Sequence, residues 1–187
     1  DPFAGVGKIG KWNPGAIGVE LEWEWAIQGK NYGTRMVRAD ARRLPFRDGC
    51  FDAIVTSPTY GNRMADHHNA RDGSHRRTYT HMLGRKLTDG NTGALQWGTD
   101  YRQAHRNIYR ECYRVLRKGG LVLLNVSDHI RGGRVISVSE WHKQAMQDSG
   151  LRWVESVDVQ TPRMRFGTNH ERRVDCEQIH RFQKPHH

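Results

Sequence analysis

Cysteine, long apolar runs and acidic side chains are all in short supply in this sequence. Its cysteines are Cys50, Cys112 and Cys176, an odd number without C-x-x-C spacing, which implies neither a disulfide framework nor a zinc site. Small buried thiols are the expectation. No uninterrupted apolar stretch approaches the roughly 18 residues needed to cross a bilayer, and the first residues lack the charged-then-apolar pattern of a secretory signal. No membrane partner is therefore expected, and the expected setting is cytoplasmic. Acids number 20 against 30 lysines and arginines, which leaves a formal net charge of +10 and a pI near 9.9. An anionic polymer is the partner that such a balance attracts.

What is present suits one domain over residues 1–187, long enough to bury a core and short for two. The basic excess is uneven: Gly61 to Lys118 carries 12 lysines and arginines against 5 acids, with five histidines besides. Short apolar runs bounded by turn residues read as strands at "AIGVELE", at 34–40 ("TRMVRAD"), at 51–58 ("FDAIVTSP") and at 121–128 ("LVLLNVSD"). Tyr101, Ala104, Ile108, Cys112 and Val115 fall at helical spacing over 101–117, with Gly119-Gly120 as the stop. Ser137 and Glu140 make a capping box for a further helix ending before Gly150. Alternation over 151–159 predicts a half-exposed strand, and 173–183 a last one. Residues 61–100 show little periodicity and read as a long basic loop, a length that in compact domains usually carries function. "KIGKWN" reads as a reduced turn. Strands alternating with helices give an α/β fold with a mostly parallel sheet flanked by helices and ligands at the carboxyl ends of its strands.

Four polar clusters fall at those ends: "DPFAGVG" at 1–7, Glu20, Asp40 and "SPTY" at 57–60. Gly5 and Gly7 let a backbone bend sharply and approach a ligand. Glu20, 13 residues beyond Gly7, suits the acid that accepts both ribose hydroxyl hydrogens, and Asp40 can accept from an exocyclic amine. An isolated acid at a strand end is ordinarily solvated. Two in order after a glycine loop point to a nucleoside cofactor.

These motifs resemble the S-adenosylmethionine-dependent methyltransferases that modify exocyclic amino groups of DNA bases, with a Rossmann-like class I methyltransferase fold. "DPFAGVG", "GVELE", "ADARRLPF" and "TSPTYGNR" stand where that family has its D-P-F-x-G-x-G loop, its two acids and its [DNS]-P-P-[YFW] element. The resemblance implies S-adenosyl-L-methionine as cofactor, held by Asp1, Pro2, Phe3, Ala4, Gly5, Gly7, Glu20, Leu21, Asp40 and Ala41. It implies Ser57, Pro58 and Tyr60 as catalytic: the serine hydroxyl and proline carbonyl accept the amino hydrogens, and the tyrosine stacks on the base. Thr59 stands in place of the second proline, which puts the stiffness of that turn in question. The family also has a strand immediately before D-P-F, so a first strand ahead of Asp1 is expected to complete the sheet.

No Pro-Cys dipeptide is present to attack a cytosine ring, which excludes covalent carbon-5 methylation by that route. Holding donor and amine in line supplies about 7–11 kcal/mol of a barrier, so geometry suffices. The target nitrogen is unreachable inside a duplex, and the base must be extruded. Arg63, Arg71, Arg76, Arg77, Arg85, Lys86, His129 and Arg131 are the expected nucleic-acid contacts, with the 61–100 insertion as target-recognition region. Asp128 or His129 is a candidate proton acceptor, and no metal is expected, "DHH" at 66–68 included. Double-stranded DNA is the expected partner, RNA the alternative polymer, and a homodimer a further candidate. Ser57 favours cytosine-N4 over adenine-N6. A tRNA guanosine-N2 methyltransferase and a non-catalytic nucleic-acid-binding protein of the same fold are the alternatives.

Overall fold

The computed structural model describes residues 1–61, 78–131, 133–161, 174 and 176–186, with the backbone alone at Arg131. A 3-10 turn at Lys8–Lys11 follows the glycine loop, in place of a full helix. Strand β1 (Ile17–Glu20) leads through helix α1 (Trp23–Gln28) and a second 3-10 turn, Gly29–Tyr32, to β2 (Arg35–Arg38). β3 (Phe51–Thr56), α2 (Tyr79–Leu83), a 3-10 turn at Thr92–Ala94, α3 (Thr99–Val115) and β4 (Leu116–Val126) come next. A hairpin of β5 (His129–Arg131) and β6 (Arg134–Ile136), helix α4 (Val138–Asp148), β7 (Arg152–Gln160) and β8 (Cys176–Gln183) complete the described chain.

β1 and β2 pair in parallel with Val19 opposite Val37. The larger sheet has the order β3-β4-β8-β7. Its β3–β4 pair is parallel, with Ile54 opposite Val122, whereas β8 runs antiparallel to both β4 and β7. The sheet is thus mixed where a mostly parallel one was expected. β7 and β8 pair antiparallel with Ser156 opposite His180. Asp1 spans the space between the two sheets. Its backbone nitrogen donates to the Ile17 carbonyl (2.8 Å), its carbonyl accepts from Val19 (2.8 Å), and its carboxylate accepts from the Thr56 hydroxyl (2.7 Å). Asp1 thus makes hydrogen bonds to β1 and to the end of β3.

α3 buries Ile108, Tyr109, Cys112 and Val115 in the same cluster as Ile54, Val122, Leu124 and Phe182 of the sheet and Ala145 and Met146 of α4. Truncating a wholly buried member such as Ile108 to alanine costs about 2–5 kcal/mol. Two helix ends differ from expectation. α3 stops at Val115 because Leu116, fully buried, already continues as strand. Gly119, at φ 73°, forms an irregularity inside β4. The Lys184 ammonium then caps the helix, donating to the carbonyls of Tyr113 (2.7 Å) and Leu116 (2.8 Å), a favourable place for a cation. Ser137 stands at the N-cap of α4, but its side chain makes no capping bond. Asp128 does the work instead, accepting from the Ser139 amide at 2.8 Å, while Glu140 pairs with Lys143. Of the cysteines only Cys112 is buried; Cys50 and Cys176 are half-buried. Strand β7, expected half-exposed, lies open along nearly its whole length.

Candidate active site

Asp1–Gly7, the carboxyl ends of β1, β2 and β3, and the 88–92 segment converge on one cleft. Its walls include Pro2, Phe3, Gly5, Glu20, Leu21, Asp40, Ala41, Ser57, Pro58, Thr59 and Tyr60. Tyr79, Gly90, Asn91 and Thr92 close it from the far side of the chain. Asp1, Ala4 and Gly7 stand behind this lining and shape the loop. The two glycines do different jobs. Gly5, at φ 51°, faces open space, whereas a Cβ on Gly7, at φ 71°, would come within 2.8 Å of the Gly29 backbone. The first keeps the cleft accessible and the second lets the loop pack on its neighbour.

Glu20 ends β1 inside the cleft. Its carboxylate accepts from the Gly5 amide at 3.0 Å and the Glu22 amide at 2.8 Å. Burial nevertheless pushes its pKa up to about 7, against the pull of those amides. Asp40 is the opposite case. Burial would raise it, but Arg42 donates to it from its guanidinium and from its backbone amide at 2.8 Å, and holds it below the ordinary carboxylate value. The cleft thus offers one acid poised near neutrality and one firmly ionised.

Glu22, two residues beyond Glu20, has a wholly buried side chain. Its Oε1 accepts from the Thr88 amide (2.8 Å) and Asn91 Nδ2 (2.7 Å), and its Oε2 from the Thr88 hydroxyl (2.9 Å) and Arg85 Nη2 (2.7 Å). Burial pushes this carboxyl up, and the amide, guanidinium and hydroxyl donors more than reverse it. These bonds fasten the 85–91 segment over the cleft. Arg85, expected on nucleic acid, is committed to Glu22 and Glu24 and to the Lys86 carbonyl. Lys86 is exposed.

The Ser57–Tyr60 turn is held through its second and third residues. Pro58 is buried, the Thr59 hydroxyl donates to that of Thr92 at 2.9 Å, and the Thr59 carbonyl accepts from the Tyr101 hydroxyl at 2.6 Å. The two proton-acceptor candidates are not among the cleft-lining residues. Asp128 is taken up by the start of α4, and the His129 ring lies edge-on to Trp97 with centroids 6.0 Å apart. Trp97 and Trp141, both half-buried, pack edge-to-face at 5.4 Å, and the Arg102 guanidinium lies 4.8 Å from the Trp97 ring centre. Arg63, Arg71, Arg76 and Arg77 lie outside the described residues, as do Asp66-His67-His68 and the side chain of Arg131. Among the described residues no group of His, Cys, Asp and Glu could hold a metal ion, and no helix is long and apolar enough to cross a membrane.

Sequence reasoning missed Glu22, Tyr79, Asn91 and Thr92. The one available signal was the second acid of "GVELE", placed where a strand gives way to a helix.

The sequence profile of one family, described as DNA methylase (N6/N4 methyltransferase), matches residues 51–184. No curated protein sequence matches the chain. Among solved structures, a Thermus thermophilus protein described as a DNA modification methylase, in its complex with S-adenosyl-L-methionine, superposes with TM-score 0.51 at 18% identity. It covers 78% of this chain, which spans only 53% of that one, about half its length. A S-adenosylmethionine-dependent methyltransferase of Methanosarcina mazei reaches TM-score 0.58 at 10% identity, over 97% of this chain and 89% of its own. The N-methyltransferase NodS of Bradyrhizobium japonicum gives 0.58 at 12%, over 97% and 82%. At such identities these likenesses show the fold, the α/β architecture of class I methyltransferases.

Proposed function

The chain belongs to the N6/N4 DNA methylase family, and from that premise we propose that it methylates an exocyclic amino group of a base extruded from double-stranded DNA. The single observation that carries this reading is the meeting of Glu20, Asp40 and the Ser57–Tyr60 turn in one cleft. The cleft fits S-adenosyl-L-methionine as cofactor: Gly5 leaves open space beside its backbone, and two acids of different proton affinity stand beyond it. When bound, that cofactor supplies an electrophilic methyl group on a sulfonium.

The chain's own residues do the rest. Glu20 accepts the ribose hydroxyl hydrogens and Asp40 an adenine amine, with Pro2, Phe3, Leu21 and Ala41 as apolar walls; Asp1, Ala4 and Gly7 fix the loop behind them. Across the cleft the Ser57 hydroxyl and the Pro58 carbonyl each accept a hydrogen from the target amino group. This draws its nitrogen toward tetrahedral geometry and turns the lone pair outward. Tyr60 stacks on the base plane. No covalent enzyme–base bond is required, since alignment carries the rate. Extruding the base costs a few kcal/mol, which phosphate contacts by Arg63, Arg71, Arg76, Arg77, Lys86 and Arg131 offset.

Cytosine-N4 is the favoured target over adenine-N6, because a serine leads the motif at residue 57. Transfer of labelled methyl groups from S-adenosyl-L-methionine to duplex DNA, with tRNA as competing acceptor, tests the reading. Label in the duplex is the expected result. Label in tRNA alone, or in neither, overturns it.

A further inference from the structure

A chain of buried hydrogen bonds ends on the turn that this reading places against the target base. Tyr101 of α3, Tyr109 about two turns further along the same helix, and His142 of α4 are wholly buried. The Tyr101 hydroxyl lies 2.6 Å from the Thr59 carbonyl and 3.0 Å from His142 Nε2, and the Tyr109 hydroxyl lies 2.5 Å from His142 Nδ1.

The direction of every proton in this chain follows from its last acceptor. A carbonyl only accepts, so Tyr101 gives its hydrogen to Thr59. The Tyr101 oxygen then accepts from Nε2, which must carry the imidazole proton. Nδ1 is left to accept from Tyr109. That arrangement needs a neutral imidazole, and burial holds the His142 pKa well below its ordinary value.

Thr59 occupies the point where the related motif has a second proline. A proline stiffens such a turn through its ring; here the backbone is held from outside. Its carbonyl is fixed by Tyr101 and its hydroxyl by Thr92 at 2.9 Å. The Thr59 carbonyl belongs to the peptide plane that joins Tyr60, so fixing it orients the Tyr60 backbone. The plane on the other side of Thr59 carries the Pro58 carbonyl.

We propose that Tyr101 and His142 are positioning residues, which orient the Pro58 carbonyl and the Tyr60 ring by clamping the Thr59 carbonyl. The inference rests on the amino-methylation reading above and deepens it. Neither residue touches the base or the cofactor. Their effect is on the geometry of the acceptors, so it falls on the transfer step and not on cofactor binding.

Single-turnover methyl transfer to duplex DNA, with cofactor affinity by calorimetry, tests this in the Tyr101→Phe and Thr59→Pro/Tyr101→Phe proteins. Loss of the hydroxyl is expected to slow transfer about tenfold, the worth of one hydrogen bond's alignment, with cofactor affinity unchanged. The added proline is expected to recover most of the rate, which a general loss of stability would not allow. A Tyr101→Phe protein as fast as the parent, or a slow one that the proline does not rescue, overturns the clamp. An inactive parent protein would instead fail the functional reading. Nitrogen-15 NMR of the parent's imidazoles gives a check that needs no variant to fold: the His142 proton is expected on Nε2, and a proton on Nδ1 overturns the directed chain.

Discussion

Glu22 and Arg85, 63 residues apart in sequence, meet at 2.7 Å with the carboxylate wholly buried and the guanidinium half in solvent. The bond joins the end of β1 to the segment that carries Asn91 and Thr92 into the cleft. Removing the carboxylate leaves the Thr88 amide and the Asn91 side chain without their acceptor. Glu22→Ala should therefore lower stability by about 2–4 kcal/mol in urea unfolding, the scale of a broken buried charge network, and weaken cofactor binding. Arg85→Ala should cost less, because its other partner, Glu24, is on the surface. Equal losses for the two variants would contradict the central place given to Glu22.

Glu20 ties stability to pH with a definite sign. Between its ordinary value of 4.5 and about 7, the folded protein holds a proton that the unfolded chain has released. Its contribution is complete below the lower value and is lost as pH rises through the upper one. Replacing it by glutamine removes that dependence. The difference in unfolding midpoint between parent and Glu20→Gln should grow in favour of the variant from pH 5 to pH 8. A constant difference would mean that Glu20 is ionised throughout.

How much of this was legible in the sequence depended on whether a signal was local. The runs around Val19, Val37 and Ile54 identified strands because buried strands need little beyond a short apolar stretch. Gly5 and Gly7 marked sharp bends at positive φ for the same local reason, and Gly7 alone a close approach of neighbouring backbone. Helix ends were less legible. Ser137 has the right spacing to Glu140, yet Asp128, nine positions before Ser137, takes the capping role from across a hairpin. The direction of β8 was equally hidden, since alternation does not encode which neighbour a strand joins. Glu22, marked only as the second acid of "GVELE", and His142, marked by nothing, were less legible still. Each is a polar residue made tolerable by partners more than 30 positions away, and no pattern along the chain announces such partners.

Ser57→Ala should reduce the methyl-transfer rate by about 10- to 100-fold, the range for losing one positioned acceptor near a reacting group. Cofactor affinity should stay at the parent value, because the proposed partner of the hydroxyl is the base. Stopped-flow transfer and calorimetry separate the two quantities. A variant with parental rates would remove Ser57 from the mechanism.

Arg76 and Arg77 carry a prediction that rests on sequence alone, since both lie outside the described residues. Exchanging each for glutamine should weaken binding to all duplexes alike and reduce the slope of log affinity against log salt by about 1 per residue. Fluorescence anisotropy over a salt series measures it. An unchanged slope would make these arginines bystanders.

The most direct test of the amino-methylation reading is mass spectrometry of the nucleosides released from duplex DNA after incubation with the protein and S-adenosyl-L-methionine. The expected product is N4-methyl-2′-deoxycytidine, formed about 10- to 100-fold more slowly in the Ser57→Ala reaction. A methyl group on carbon 5 of cytosine, or unmodified DNA beside methylated tRNA guanosine, would contradict it.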